Sequence, residues 1–258
     1  MKDMNQEQAP RRGRDGFEDL PPATAPGTVL ALLLAILGGV LAALLLLPRW
    51  LPDLSASLSG PQAHGYWFLA RASAWVAFGL LWLSLVMGLL ITNRLARLWP
   101  GGPTAFDLHQ HASLLALAFA LFHALILLGD RYIGYSPATL LLPFASHDYR
   151  PISVGLGQLG FYALALVGLS FYVRRLMGRR LWRAIHFLSF AVFVLVLAHG
   201  LGSGTDSGEA WARGVYWASG ASVLFLTWFR VLVSRSGRAA PPASQGAPSP
   251  QALARIIG

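Results

Sequence analysis

The sequence contains no cysteine, and charged residues are scarce. Without cysteine the chain cannot form disulfides, iron–sulfur clusters, thiolate metal sites or a cysteine nucleophile. Charged residues make up 12% of the 258 positions, whereas an ordinary soluble domain carries about 25%. Because 55% of the residues are hydrophobic, a membrane protein is expected. Since cysteine is absent, any metal chemistry must use histidine.

Lysine is nearly absent too, since Lys2 stands beside nineteen arginines. Together with the abundance of alanine, leucine and glycine, this bias is typical of a bacterium with a GC-rich genome. The net charge of +9 is spread between apolar runs and forms no single basic patch. Nucleic acid is therefore not an expected partner.

Six apolar runs cross the middle of the sequence, each close to the roughly 20 residues that a helix needs to span a bilayer core. They predict an all-α membrane protein, a six-transmembrane-helix bundle over residues 28–232. The tails, 1–27 and 233–258, are polar or rich in proline and small residues, and we expect both to be disordered. The runs lie at about residues 28–47, 66–91, 105–128, 152–173, 183–201 and 212–232.

The distribution of arginine and lysine predicts how the bundle is oriented. Fifteen of these residues lie in the two tails, the loops that share their side and the adjoining helix ends, and five lie on the other side. The positive-inside rule then predicts that both termini lie on the cytoplasmic side of a bacterial inner (plasma) membrane. The five arginines at 174–183 dominate this assignment. They are interpreted as a topology anchor near anionic lipid, with partner docking as the alternative.

Four histidines lie inside these runs, where an ionisable side chain is costly and indicates function. The third run holds His109 and His123, fourteen positions apart, and the fifth holds His186 and His199, thirteen apart. At 1.5 Å per residue these separations are about 21 and 20 Å. The two runs cross the membrane in the same direction, so the histidines form two layers. Each layer receives one histidine from each run.

Two such layers suit two stacked b-type haems, each iron held by an imidazole on either side. His109 and His123 fall on nearly the same helix face. Thirteen steps of about 100° do not bring His186 and His199 to one face of an ideal helix. A kink, a bulge or different rotamers must absorb that mismatch.

Two alternatives to haem remain for these histidines. They could be unrelated polar residues that hydrogen bond between membrane helices. They could also belong to a metal or proton transporter. Transporter sites gather ligands at one depth and usually add carboxylates, whereas the predicted spans contain only Asp107, at an edge.

The patterns FDLHQHASLLALAFALFHALILL and AIHFLSFAVFVLVLAHG in the third and fifth runs resemble the ferric reductase-like transmembrane domain. Ferric reductases and NADPH oxidases share this domain, and the resemblance covers residues 66–232. It implies that His109 and His186 hold an inner haem b and that His123 and His199 hold an outer one. It further implies that electrons pass outward to an extracytoplasmic acceptor.

The chain departs from this family after the sixth run, where no glycine-rich nucleotide-binding unit follows. The expected electron donor is therefore a separate protein, a quinol or a bound flavin. The second interpretation is that the chain is the haem-binding membrane subunit of a periplasmic methionine sulfoxide reductase system. That subunit also lacks a fused nucleotide-binding domain. In the NADPH oxidases an arginine on the second helix lines the oxygen pocket, and Arg71 matches it. The family's pocket histidine is replaced by Leu127.

Several further residues are proposed to support the haem sites. Arg71 contacts a haem propionate or the acceptor, or else reaches the membrane interface. Phe193 lies between the layers, where it faces the gap between haems or fills the core. His111 is the substitute ligand if the pairing is wrong, and His64 and His147 are expected at the surface. Glycines in the fourth run admit a macrocycle or pack helices closely; they are Gly155, Gly157, Gly160 and Gly168.

Overall fold

The computed structural model of the chain describes residues 22–52, 65–130, 133–147 and 149–236, all of them in helices, turns or coil. Short 3₁₀ turns at Leu95–Arg97 and Leu127–Gly129 follow the second and third helices. The helices are α1 (Pro26–Trp50), α2 (Gly65–Thr92), α3 (Gly102–Ile126), α4 (Pro137–Leu141), α5 (Pro151–Met177), α6 (Arg179–Phe187), α7 (Ser189–Ser203) and α8 (Ala210–Ser236).

Within the described ranges, six helical stretches are long and apolar enough to cross a membrane, which confirms the six predicted spans. The observed stretches extend a few residues beyond the predicted runs, because the runs end at apolar residues whereas the helices continue into flanking glycines and arginines. The predicted fifth span consists of α6 and α7 together. Most of the two predicted tails, residues 1–21 and 237–258, lies outside the described residues.

Proline and glycine mark where several helices begin and end. Pro151 occupies the first turn of α5, where its missing N–H costs no hydrogen bond. Gly178 separates α5 from α6 and adopts φ +78°, a left-handed conformation that favours glycine. The chain therefore turns sharply between α5 and α6 and returns across the bundle.

The core lies where α2, α3, α5 and α7 meet. One apolar cluster joins Leu81 of α2, Ala116 of α3, Leu164 of α5 and Val192 of α7. Ala116 and Val192 are wholly buried at 0% exposure. Both lie about midway between the histidines of their own helical stretch. An apolar, close-packed layer therefore separates the two histidine layers.

Large apolar side chains also cover the outside of the bundle. Leu30, Trp217, Leu224 and Phe225 are each more than half exposed. Soluble monomers rarely expose large contiguous apolar patches. In a bilayer the same side chains would face lipid tails, so this surface agrees with a multi-pass membrane protein.

Candidate functional site

The structure brings the four histidines together as two pairs. The ring centres of His109 and His186 lie 5.9 Å apart, and those of His123 and His199 lie 6.3 Å apart. We call His109 and His186 the first layer, and His123 and His199 the second layer. This is the cross-helix pairing expected from the sequence spacing.

These separations match those of two imidazoles on opposite sides of one metal ion. An imidazole nitrogen binds a metal at about 2.0–2.1 Å and lies about 1.1 Å from its ring centre, which places two ring centres about 6.3 Å apart. The observed distances of 5.9 and 6.3 Å agree with this value to within 0.4 Å. The ring-centre separation of each pair is therefore compatible with a shared metal ion.

Backbone carbonyl groups orient three of the four rings. The Nδ1–H of His109 donates to the carbonyl of Ser84 at 2.8 Å, and that of His123 donates to Ala70 at 2.7 Å. His199 donates in the same way to Ser153 at 2.8 Å. A carbonyl can only accept, so Nδ1 must carry the proton and Nε2 keeps its lone pair. Metal-bound histidines in proteins are usually held in this manner.

The fourth ring, His186, is oriented by an aromatic side chain. Trp182, one turn earlier in α6, stacks on it with ring centres 5.2 Å apart and planes 27° from parallel. Within the described part of the chain, the buried Nε1–H of Trp182 has no hydrogen-bond partner. The first layer thus has a buried donor beside it that an acceptor group on a ligand would satisfy.

The helix between His186 and His199 is interrupted, which is one of the ways in which their rotational mismatch can be absorbed. Leu188 separates α6 from α7, and its N–H bonds to the carbonyl of Ile185, three residues earlier. This tighter turn changes the rotation of α7 relative to α6. Both histidines can then face α3, which a continuous ideal helix would not allow.

Two glycines make room for histidine rings. A Cβ on Gly157 of α5 would lie 2.5 Å from Nδ1 of His199, and one on Gly88 of α2 would lie 3.3 Å from Cε1 of His109. The first distance is far shorter than any real Cβ contact. Of the four glycines singled out from the sequence, Gly157 is therefore the one that admits a histidine ring, while a Cβ on Gly168 would meet nothing.

The second layer opens into a cavity of about 260 Å³ between α2, α3, α5, α7 and the start of α8. Its walls are mostly apolar and include Phe78, Leu81 and Phe161. Both rings of the second layer line this cavity, as does Arg71. A mostly apolar cavity with a few polar groups is the usual character of a cofactor site.

Arg71 reaches the cavity from α2 and is held by Asp206. Its Nε and Nη2 atoms lie 2.6 Å from the two carboxylate oxygens, a two-point ion pair. Trp75 donates its Nε1–H to the same carboxylate at 3.0 Å. Asp206 is only 6% exposed. Sequence reasoning identified Arg71 but missed Asp206, whose only signal was a carboxylate seven positions after His199.

The remaining residues singled out from the sequence occupy different surroundings. Phe193 is buried in a core cluster and stacks on Phe78, with ring centres 6.1 Å apart. His111 is exposed, and its Nδ1 bonds to the carbonyl of Asp107. His147 is exposed, and His64 lies outside the described residues.

Neither a family model, nor a curated protein, nor a solved structure matches this chain.

Two histidines per layer are fewer ligands than a bare metal ion usually takes from a protein. Nowhere in the described ranges do three or more His, Cys, Asp or Glu side chains converge on one point. Zinc sites use three or four protein ligands. Haem brings four porphyrin nitrogens of its own and needs only two axial ligands from the protein. Each layer offers two imidazoles and a glycine beside one of its rings, and the second layer also opens into a mostly apolar cavity.

Proposed function

We propose that this chain is a membrane electron-transfer protein that binds two b-type haems and resembles the transmembrane domain of ferric reductases. His109 and His186 would hold the haem of the first layer, and His123 and His199 that of the second. Each bound haem would supply a one-electron carrier. The observation that carries this proposal is the pair of ring separations, 5.9 and 6.3 Å, at two depths of one helix bundle.

The protein's own contribution is to orient the ligands and exclude water. Carbonyl groups of Ser84, Ala70 and Ser153 fix the protonation of three imidazoles. The apolar cluster around Ala116 and Val192 keeps the space between the layers dry. A low-dielectric surrounding of this kind is one of the factors by which a protein sets a reduction potential.

The depth of the two layers supports transfer across the membrane. The histidines of α3 are fourteen residues apart, which is about 21 Å along the helix. A bilayer core is about 30 Å thick, so two carriers at these depths cover most of it. With both termini in the cytoplasm, the first layer lies nearer the donor, a separate protein, a flavin or a quinol. The second layer lies nearer an extracytoplasmic acceptor.

A visible absorption spectrum and a haem count test this proposal. The full chain is expressed with haem available, purified in detergent and reduced. We expect b-type bands and a pyridine haemochrome value of two haems per chain. A colourless protein would overturn the proposal and favour the transporter hypothesis. One haem per chain would reassign two of the four histidines as structural.

A further inference from the structure

Asp206 is a buried carboxylate that the proposed electron transfer does not use. It lies in the connection between α7 and α8 and accepts hydrogen bonds from Arg71 and Trp75 of α2. Burying a charge is costly unless it is paired and hydrogen bonded, and here three donors meet one carboxylate. The arrangement ties the connection after α7 to the helix that also anchors His123.

The ion pair occupies only one edge of the guanidinium. Arginine has five N–H donors in a planar fork, and Asp206 takes one from Nε and one from Nη2. Within the described ranges the three other N–H groups make no hydrogen bond, and the guanidinium also lies 5.3 Å from the ring centre of Trp67. Arg71 lines the cavity of the second layer. Its unoccupied donors therefore suit an anion in or at the mouth of that cavity.

A second donor in the same cavity also lacks a partner. Ser203 lines the cavity near the end of α7, four positions after His199. Its hydroxyl is buried and, within the described ranges, makes no hydrogen bond. A buried polar group without a partner calls for an explanation such as a ligand or water. A hydroxyl and an arginine fork are both donors from which carboxylate oxygens accept hydrogen bonds.

Resting on the proposed function, we infer that the second-layer cavity binds a carboxylate through Arg71 and Ser203, and that Asp206 is the residue that positions Arg71 for this purpose. The carboxylate belongs either to a haem propionate or to an acceptor that carries carboxylates. Both sources share the same chemistry. Asp206 itself, being an anion, holds the guanidinium and does not touch the ligand.

The first arm of the test compares two porphyrins. Haem b and its dimethyl ester, whose propionates are blocked, are titrated into haem-free protein in a His109→Ala background, which leaves only the second layer with two histidines. We expect the His109→Ala protein to bind haem b at least about tenfold more tightly than the dimethyl ester, the effect expected of hydrogen bonds to a charged group. Asp206→Asn should remove most of this preference, and Asp206→Glu should restore part of it.

Two controls separate positioning from general damage. Glu209→Gln removes one negative charge from the same connection, at an exposed residue, and should leave the preference unchanged. The double variant Arg71→Gln/Asp206→Asn leaves no buried charge unpaired, so it avoids the instability expected of Arg71→Gln alone. It should bind both porphyrins equally.

The second arm uses citrate as the probe, with binding measured on wild-type protein and on the same variants. If the His109→Ala protein binds both porphyrins equally but Asp206→Asn weakens citrate binding, the carboxylate belongs to an acceptor. If Asp206→Asn changes neither the porphyrin preference nor citrate binding, the inference is overturned. Failure of wild-type protein to take up any porphyrin overturns the proposed function instead, and the citrate arm still tests the site.

Discussion

The ring of His199 lies directly against the backbone of Gly157. A Cβ at Gly157 would come within 2.5 to 2.7 Å of three ring atoms, Nδ1, Cε1 and Cγ. The ring is also bonded through Nδ1 to the carbonyl of Ser153, one turn earlier in α5. The position of one proposed ligand therefore depends on the absence of a side chain on a neighbouring helix.

Gly157→Ala should displace His199 and weaken binding of the second haem. The methyl group needs space that the ring now occupies, so either the ring rotates off its carbonyl or α5 moves outward. We expect haem affinity of the second layer to fall at least about tenfold, equivalent to about 1.4 kcal/mol. Haem titration of the purified protein measures this change. Gly168→Ala, in the same helix with nothing within 4 Å, should bind as wild type; an equal loss in both variants would contradict the contact argument.

Substituting the histidines should separate the two layers. His123→Ala and His199→Ala would each remove one of the two imidazoles proposed to hold the same haem, so both should lose the second haem and keep the first. His109→Ala and His186→Ala should do the reverse. Combining two substitutions within a layer should add little, because the ligands act as a unit on one cofactor. Spectra of the reduced variants measure the loss.

Across layers, the double variant His109→Ala/His199→Ala should lose both haems. The pairing would be wrong if His109→Ala and His123→Ala gave identical partial losses while His186 and His199 were silent. His111, which lies two positions after His109, would then replace it as the candidate ligand.

Trp182→Leu should weaken the first haem, because Trp182 stacks on His186 and holds its ring. Aromatic pairs contribute about 0.5–1.5 kcal/mol beyond burial, which corresponds to roughly a twofold to tenfold loss of haem affinity. Haem titration in a His123→Ala background isolates the first layer. Trp217→Leu is the matched control, since Trp217 is 78% exposed. A control that loses as much haem as Trp182→Leu would remove the role assigned to stacking.

Both termini are expected in the cytoplasm, from the fifteen-to-five distribution of arginine and lysine. A reporter that is active only outside the cytoplasm should stay silent when fused after residue 258. The same reporter inserted in the connection between α7 and α8 should be active. Activity at residue 258 instead would reverse the proposed direction of electron transfer.

The spans and the depths of the histidines follow from the sequence because both depend on neighbours along the chain. Hydropathy over about twenty residues identifies a membrane helix, and a constant rise per residue converts the spacing of His109 and His123 into a depth. The same arithmetic exposed the mismatch between His186 and His199. It called for a kink, a bulge or different rotamers between them, without deciding which.

The tertiary structure alone decided which groups meet across helices. Three findings came from the structure and not from the sequence. Leu188 interrupts the helix, Gly157 and not Gly168 faces a histidine, and Asp206 holds Arg71. Asp206 and Arg71 are 135 positions apart, and no local pattern links them. Such contacts arise from how the helices pack, because packing brings side chains together by shape and leaves no periodic trace in either segment.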